Sequence, residues 1–475
     1  MSNVTVLGAS NQTITLSFDS ESNTILARQL AGLITSGVQN GSMIAASDKF
    51  GGPPPVPAGK TGEFVQTKSG TVLLPANYTA LVETAANAVV FGNSAANQMI
   101  LSGTASNLTF FSAGGSGTVV AAGDHNRVVL SASGKGSWMI ETGEGDDIIN
   151  ALGSGQHTIS GGGGHNAISL GTGSALLQST GDDTVSMGGA SATIDASTGG
   201  SDLVFGGGGD LLFVGGSGGA TIYGGAGSTT YYGGMHETTG HGNGHGHGHG
   251  HGHDDDDDHH GRDRDDDDDR HGRGRDDDHD DRGRDRGHDR GRDRDDDDCG
   301  GRDDDRNDHG RDKAVQIVHG GRGGDNYLFA GSGAATLFGG GNNDQLYAFG
   351  EVGQMLVGSD GYSTLSAAFN WGNNTIKGGE GDEAITGGTG RDLIVSGAGN
   401  DTVFATDGDR DTFAFIRNEA GGQTLIQNIY EGAIQRCGEY FDASSIRESD
   451  PWRRRASATK HFWRSSTPIR IYATE

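Results

Sequence analysis

Between Gly378 and Phe404 the chain reads GGEGDEAIT, GGTGRDLIV, SGAGNDTVF, three nine-residue units in tandem without a gap. Glycines hold places one, two and four of each unit, with Ser396 in the first place of the third. An acidic residue holds place six (Glu383, Asp392, Asp401) and an aliphatic one place eight (Ile385, Ile394, Val403). A unit this short offers one apolar side chain and buries it only by stacking on its neighbours, so the pattern predicts a coil of short parallel strands with place eight pointing inward.

The same beat runs more faintly elsewhere. From Val90 to Tyr231 apolar residues recur in fifteen steps over 141 residues, about 9.4 per step, through Val129, Met139 and Leu212 among others. It returns at Ile317 and Tyr327 and continues to Phe413. The expected fold is all-β, a parallel β-roll or β-solenoid in two blocks, 86–234 (degenerate repeats) and 314–415. Residues 1–60 read as a small α/β piece, a cap for the first coil or a targeting module, and 61–85 as a linker with the first strands. Thr13–Phe18 alternates like a strand. Ser22 or Asn23 is placed to cap a short helix carrying Ile25, Leu26, Leu30, Leu33 and Ile34 on one side. The run GGPPPVP (Gly51–Pro57) marks a linker or boundary.

The tandem nonamers resemble the repeats-in-toxin (RTX, hemolysin-type calcium-binding) repeats of bacterial type I-secreted proteins. Glycine-rich turns let carbonyl oxygens converge on an ion, and Ca²⁺ takes six to eight oxygen ligands. In that family two nonamers make one coil, so an ion would sit between turns whose acidic places lie about eighteen residues apart. Pairs at that spacing in the second block are Asn374 with Asp392, Glu383 with Asp401, Asp392 with Asp411, and Asp325 with Asp344. In the first block Asp183 pairs with Asp202, and Asp147 meets Asn166. The turn glycines Gly379, Gly381, Gly388, Gly390, Gly397 and Gly399 complete the candidate calcium sites. His157, Ala175, Ala192, Ala220 and Thr229 stand where an acid would be, so those turns are expected to bind no ion.

Between the blocks, 235–313 opens with a His-Gly tract and continues in Asp/Arg/Gly runs. From Asp254 to Lys313, 28 Asp face 15 Arg plus Lys, and with almost no apolar side chain the insert is expected to be disordered. Fourteen of the 18 histidines lie between His236 and His319, a loose ligand strip for Zn²⁺ or Ni²⁺, or a solvated repeat whose metal affinity is incidental. After 415 a closing segment gives way to an Arg/Ser-rich tail (416–475 in all), and the abrupt change suggests a frameshifted or recombined end that bears on export.

The net charge of −29 argues against nucleic acid and anionic membranes and for cations. No run approaches a membrane span and no signal peptide is visible. The resemblance implies signal-peptide-independent export to the cell surface or medium. Open solenoid ends favour self-association, and cell-surface components are the other expected partners. No HExxH, GxSxG or P-loop pattern occurs, and the 85 residues before the first block are short for a catalytic domain, so no enzyme is expected. Three functions remain open: a structural or interaction protein with calcium-dependent folding, a divalent-metal sequestering protein acting through the insert, and an enzyme with an unrecognised N-terminal site.

Overall fold

In the computed structural model, residues 1–234, 315–406, 411–414, 422–427 and the strand at 471–474 are described. The insert, its His tract and most of the tail lie outside them.

Each half-coil supplies one strand of three to nine residues to one of two parallel sheets. One is a 15-stranded sheet from Gly70–Leu73 to Thr412–Ala414. The other runs from Met43–Ser47 to Ile471–Thr474. Among the described residues those two terminal strands each pair on one side only, with Thr61–Gln66 and Gln423–Gln427, so the ladder they end is open and does not close into a barrel. Glycine-rich turns link the sheets, and the side chains between them form one continuous core from Ala46 to Ile426.

The two blocks form one coil. Ala220–Tyr223 pairs with Gln316–His319, and Thr230–Tyr232 with Tyr327–Phe329, directly across the insert. On the outer faces Tyr223 stacks on His319 at 5.2 Å and Tyr232 on Phe329 at 5.1 Å.

The apolar beat is right in period and off by one residue in five strands. Val128, Ile140, Leu211 with Phe213, Val318 and Leu328 face the core, where the sequence pointed to Val129, Met139, Leu212, Ile317 and Tyr327. Segments such as RVVL and NYLF are apolar on both faces, and a slip of one residue in a strand exchanges the faces.

The N-terminal piece comprises a hairpin, β1 (Ser2–Leu7) with β2 (Thr13–Phe18), and helix α1 (Glu21–Gln39). Ser20 is the N-cap, not Ser22 or Asn23; its Oγ accepts the Asn23 N–H at 3.0 Å. Ala27, Leu30, Ala31 and Ile34 form the buried face, while Ile25 and Leu33 are exposed. This face packs with Val4, Val6, Leu16 and Phe18 on Val65, Ala80, Val82, Leu101 and Val120, residues of successive coils. Ser22 and Asn23 reach further, hydrogen-bonding Glu141 Oε2 and Thr142 O. The piece therefore clasps the flank of the first coils. Over the core itself, Val56 of the proline run packs against the apolar cluster and Pro54 O accepts from the Tyr78 hydroxyl, so that run is part of the coil's end and not a linker.

Candidate metal centre

The turns stack as tightly as the strands. A Cβ built on Gly379, Gly381, Gly388, Gly390, Gly397 or Gly399 would strike the carbonyl oxygen of Ser359, Gly361, Asn370, Gly372, Gly379 or Gly381 respectively, each one coil earlier. Gly397 and Gly399 also need φ of 98° and 103°, a conformation that favours glycine. Main-chain oxygens are thereby brought into rows along both edges of the coil.

Inside each edge runs a column of side chains two residues before the inward aliphatic. The first column contains Asn126, Asp147, Asn166, Asp183 and Asp202 and, further along, Gln354, Asn374, Asp392 and Asp411. All of these side chains but Gln354 accept the backbone N–H of the counterpart one coil earlier: Asn126 N to Asp147 Oδ1, Asp147 N to Asn166 Oδ1 at 2.9 Å, Asp183 N to Asp202 Oδ1 at 3.2 Å, Asn374 N to Asp392 Oδ1 at 2.7 Å, and Asp392 N to Asp411 Oδ1 at 2.9 Å; Gln354 Oε1 accepts from Phe349 N at 3.2 Å instead. The second column passes through Trp138, His157, Ala175, Ala192, Leu211 and Thr229, then Asn326, Asp344, Ser363, Glu383 and Asp401. Here Glu383 N donates to Asp401 Oδ1 at 3.1 Å.

The structure thus brings together the pairs Asn374–Asp392, Glu383–Asp401, Asp392–Asp411, Asp183–Asp202 and Asp147–Asn166. It separates Asp325 from Asp344. Asp325 is exposed and accepts from Asn343 Nδ2, while Asn326 is buried and donates to Asp344 Oδ1 at 2.7 Å. The unit GGRGGDNYL has one extra residue ahead of its inward Leu328, so counting from the glycines misplaces the phase. Counting back two from the aliphatic finds Asn326, and also Asn126, Gln354 and Ser363, corner residues that carry no acid.

One oxygen of Asp147, Asp183, Asp202, Asp392, Asp401 and Asp411 is used by this ladder, and Asp344 Oδ1 takes the Asn326 amide; the remaining carboxylate oxygens differ from site to site. Asp392 Oδ2 accepts from Gly388 N at 2.6 Å, Asp344 Oδ2 from Gly340 N and Ser359 Oγ, and Asp183 Oδ2 from Ser179 Oγ. Asp147 Oδ2, Asp202 Oδ2, Asp401 Oδ2 and both oxygens of Glu383 are buried with no hydrogen-bond partner of good geometry. Burial pushes Asp147 up to about 7 and Asp202 up to about 6, and raises Asp183, Asp392 and Asp401. Glu383 is pushed up to about 9 by burial and then by the charge of Asp401.

Carboxylates aligned inside an edge, short of partners and walled by carbonyls, form an all-oxygen donor set of the kind a hard cation takes. Among the described residues no three His, Cys, Asp or Glu converge on one point, so an ion in these two columns would draw on one or two carboxylates together with other oxygens of the edge.

A family model, RTX calcium-binding nonapeptide repeat, matches four copies at residues 320–348, 370–403 and 377–410. The chain carries RTX repeats. They imply calcium binding, and the matched residues include Asn326, Asp344, Asn374, Glu383, Asp392 and Asp401. Searches of curated proteins and of solved structures return no match. No helix among the described residues is long and apolar enough to cross a membrane.

Proposed function

We propose that this RTX β-roll folds in response to calcium and serves outside the cell, or on its surface, as a non-catalytic structural or interaction protein. The observation that carries this reading is the pair Glu383 and Asp401, buried in successive coils with three oxygens unpartnered. At neutral pH such a pair either keeps protons or shares a cation. Bound calcium supplies the positive charge that lets both carboxylates ionise without repulsion.

In this reading Asp392, Asp401 and Asp411 hold ions with the carbonyls of the turns at Gly379, Gly388 and Gly397, while Asn374 and Glu383 complete the edges. Asp147, Asp183 and Asp202 offer sites in the first half. Where calcium is scarce, as in a cytoplasm, the acidic edges repel and the matched coils stay open, a state suited to passage through a narrow exporter. Outside, folding follows ion binding.

The experiment is circular dichroism and thermal melting of the full chain in calcium and in EDTA, with Asp401→Asn and Asp392→Asn beside it. Calcium should increase β content and raise Tm, each variant should blunt the response, and identical melts in both buffers would dismiss the reading. Export is tested separately, by recovery of the chain from the medium when a type I exporter is co-expressed.

A further inference from the structure

The edge that carries Asp147 and Asp392 begins earlier, in coils outside the matched repeats. There β3 (Met43–Ser47), β4 (Thr61–Gln66), Tyr78–Glu83 and Gln98–Ser102 pair in order, which sets Gln66 beside Glu83 and Glu83 beside Ser102. Asp48 follows Ser47, which pairs with Val65, and so begins the same row. Strands in a sheet lie about 4.8 Å apart, so these side chains are stacked neighbours.

Later coils fill this turn from its far end: Asn126 Nδ2 donates to Ala121 O at 2.9 Å and to Gly123 O. The first coils have no such residue, because Leu108 and Ala88 occupy the positions in line with Asn126. They fill the turn from its near end. Gln66 Nε2 donates to Lys68 O at 3.2 Å and Gly70 O at 3.1 Å, and Glu83 Oε1 accepts from Ala85 N.

Ser106 closes the turn that follows Ser102, its N–H donating to Gly103 O at 3.0 Å, and four oxygens of these turns are left over. Gln66 Oε1, Glu83 Oε2, Ser102 Oγ and Ser106 Oγ have no hydrogen-bond partner of good geometry, and their residues are 3%, 0%, 0% and 1% exposed. Burial raises the neighbouring Asp48, but hydrogen bonds from Thr67 and Lys68 outweigh it and hold that carboxyl below its ordinary value, a fixed negative charge in the same row. Burial, with a contribution from Asp48, pushes Glu83 up to about 8. A buried carboxylate oxygen and a buried amide oxygen without donors, beside a fixed negative charge, call for a cation or a retained proton, and the two serine hydroxyls can turn their lone pairs to the same cation.

We propose that Glu83 Oε2, Gln66 Oε1, Ser102 Oγ and Ser106 Oγ form a hard-cation site that takes Ca²⁺ and pins the first coils together, independently of the RTX repeats. Its ligands come from residues with no nonamer around them, so it does not depend on the sites at 374–411.

The test is a count of calcium bound per full-length chain, by equilibrium dialysis with labelled calcium, for the native sequence, Glu83→Gln and Asp401→Asn. Glu83→Gln mimics the protonated carboxyl in shape and keeps the bond from Ala85. It should bind one ion fewer, or bind that ion at least tenfold more weakly, with faster amide exchange at 66–106 in calcium and unchanged exchange at 374–404. Ser102→Ala with Ser106→Ala should weaken the same ion. If Glu83→Gln binds as many ions as the native chain with equal affinity, the corner holds a proton and the proposal falls. Loss of ions in Asp401→Asn alone would leave the RTX sites standing while overturning this one.

Discussion

One edge of this coil is built twice from opposite materials. In the first half its inner column is Trp138, His157, Ala175, Ala192 and Leu211; in the second it is Asn326, Asp344, Ser363, Glu383 and Asp401, on the same backbone and in unbroken register. The contrast teaches that a turn of this coil requires a filled corner, and that an ion is one way of filling it. The apolar fillers Trp138, Ala175, Ala192 and Leu211 gain from burial and leave the coil complete without an ion, while His157 among them is buried with both ring nitrogens unpartnered and held neutral by that burial. Carboxylates gain only when something compensates their charge.

The largest expected effect is calcium removal. A site held at a hundredfold its Kd adds about 2.7 kcal/mol, so several sites together dominate the stability of the second half. In EDTA, amide exchange should become fast over 374–404, where both edges carry acids, and rise much less over 138–213, where one edge is filled without them; an equal loss of protection in both halves would break the comparison. Next, Leu211→Asp places an unpaired charge in a corner that has no use for it, and should lower Tm by the equivalent of about 3–5 kcal/mol with or without calcium. The reverse exchange, Glu383→Leu, should stabilise the calcium-free chain by about 1–4 kcal/mol and cut its response to the ion.

The pH dependence of the calcium-free chain sharpens the same point. Glu383 is held above its ordinary 4.5, at about 9, so the folded state binds a proton that the unfolded state releases. That stabilisation is complete below pH 4.5 and is lost as pH rises towards 9. Urea melts in EDTA across this window should show the decline, and Glu383→Gln should flatten it. The smallest effect expected is Asn126→Ala, which removes the two bonds to Ala121 O and Gly123 O and the one from Leu108 N and should cost about 1–3 kcal/mol regardless of calcium.

The tandem units 378–404 were legible because each place has one job: glycine where backbones touch, an acid at the corner, an aliphatic inside. Legibility failed where a job could be done by two neighbours. In RVVL either valine suits an inward position, and in GGRGGDNYL either Asp325 or Asn326 suits the corner. The same ambiguity hid α1's true face, since Ile25 and Leu33 are as apolar as the Leu30 and Ile34 that are buried.

Period, parallel winding and an acid-lined second half follow from the sequence by itself, because a nine-residue unit with one inward side chain has no other way to bury it. Tertiary structure alone decided that the coil passes uninterrupted across residues 235–314, that the N-terminal helix clasps a flank, and that Gln66, Glu83 and Ser102 share a corner. Those facts depend on which strands lie side by side, and hydrogen bonding between residues almost a hundred apart, such as Thr229 and Asn326, leaves no trace in local pattern.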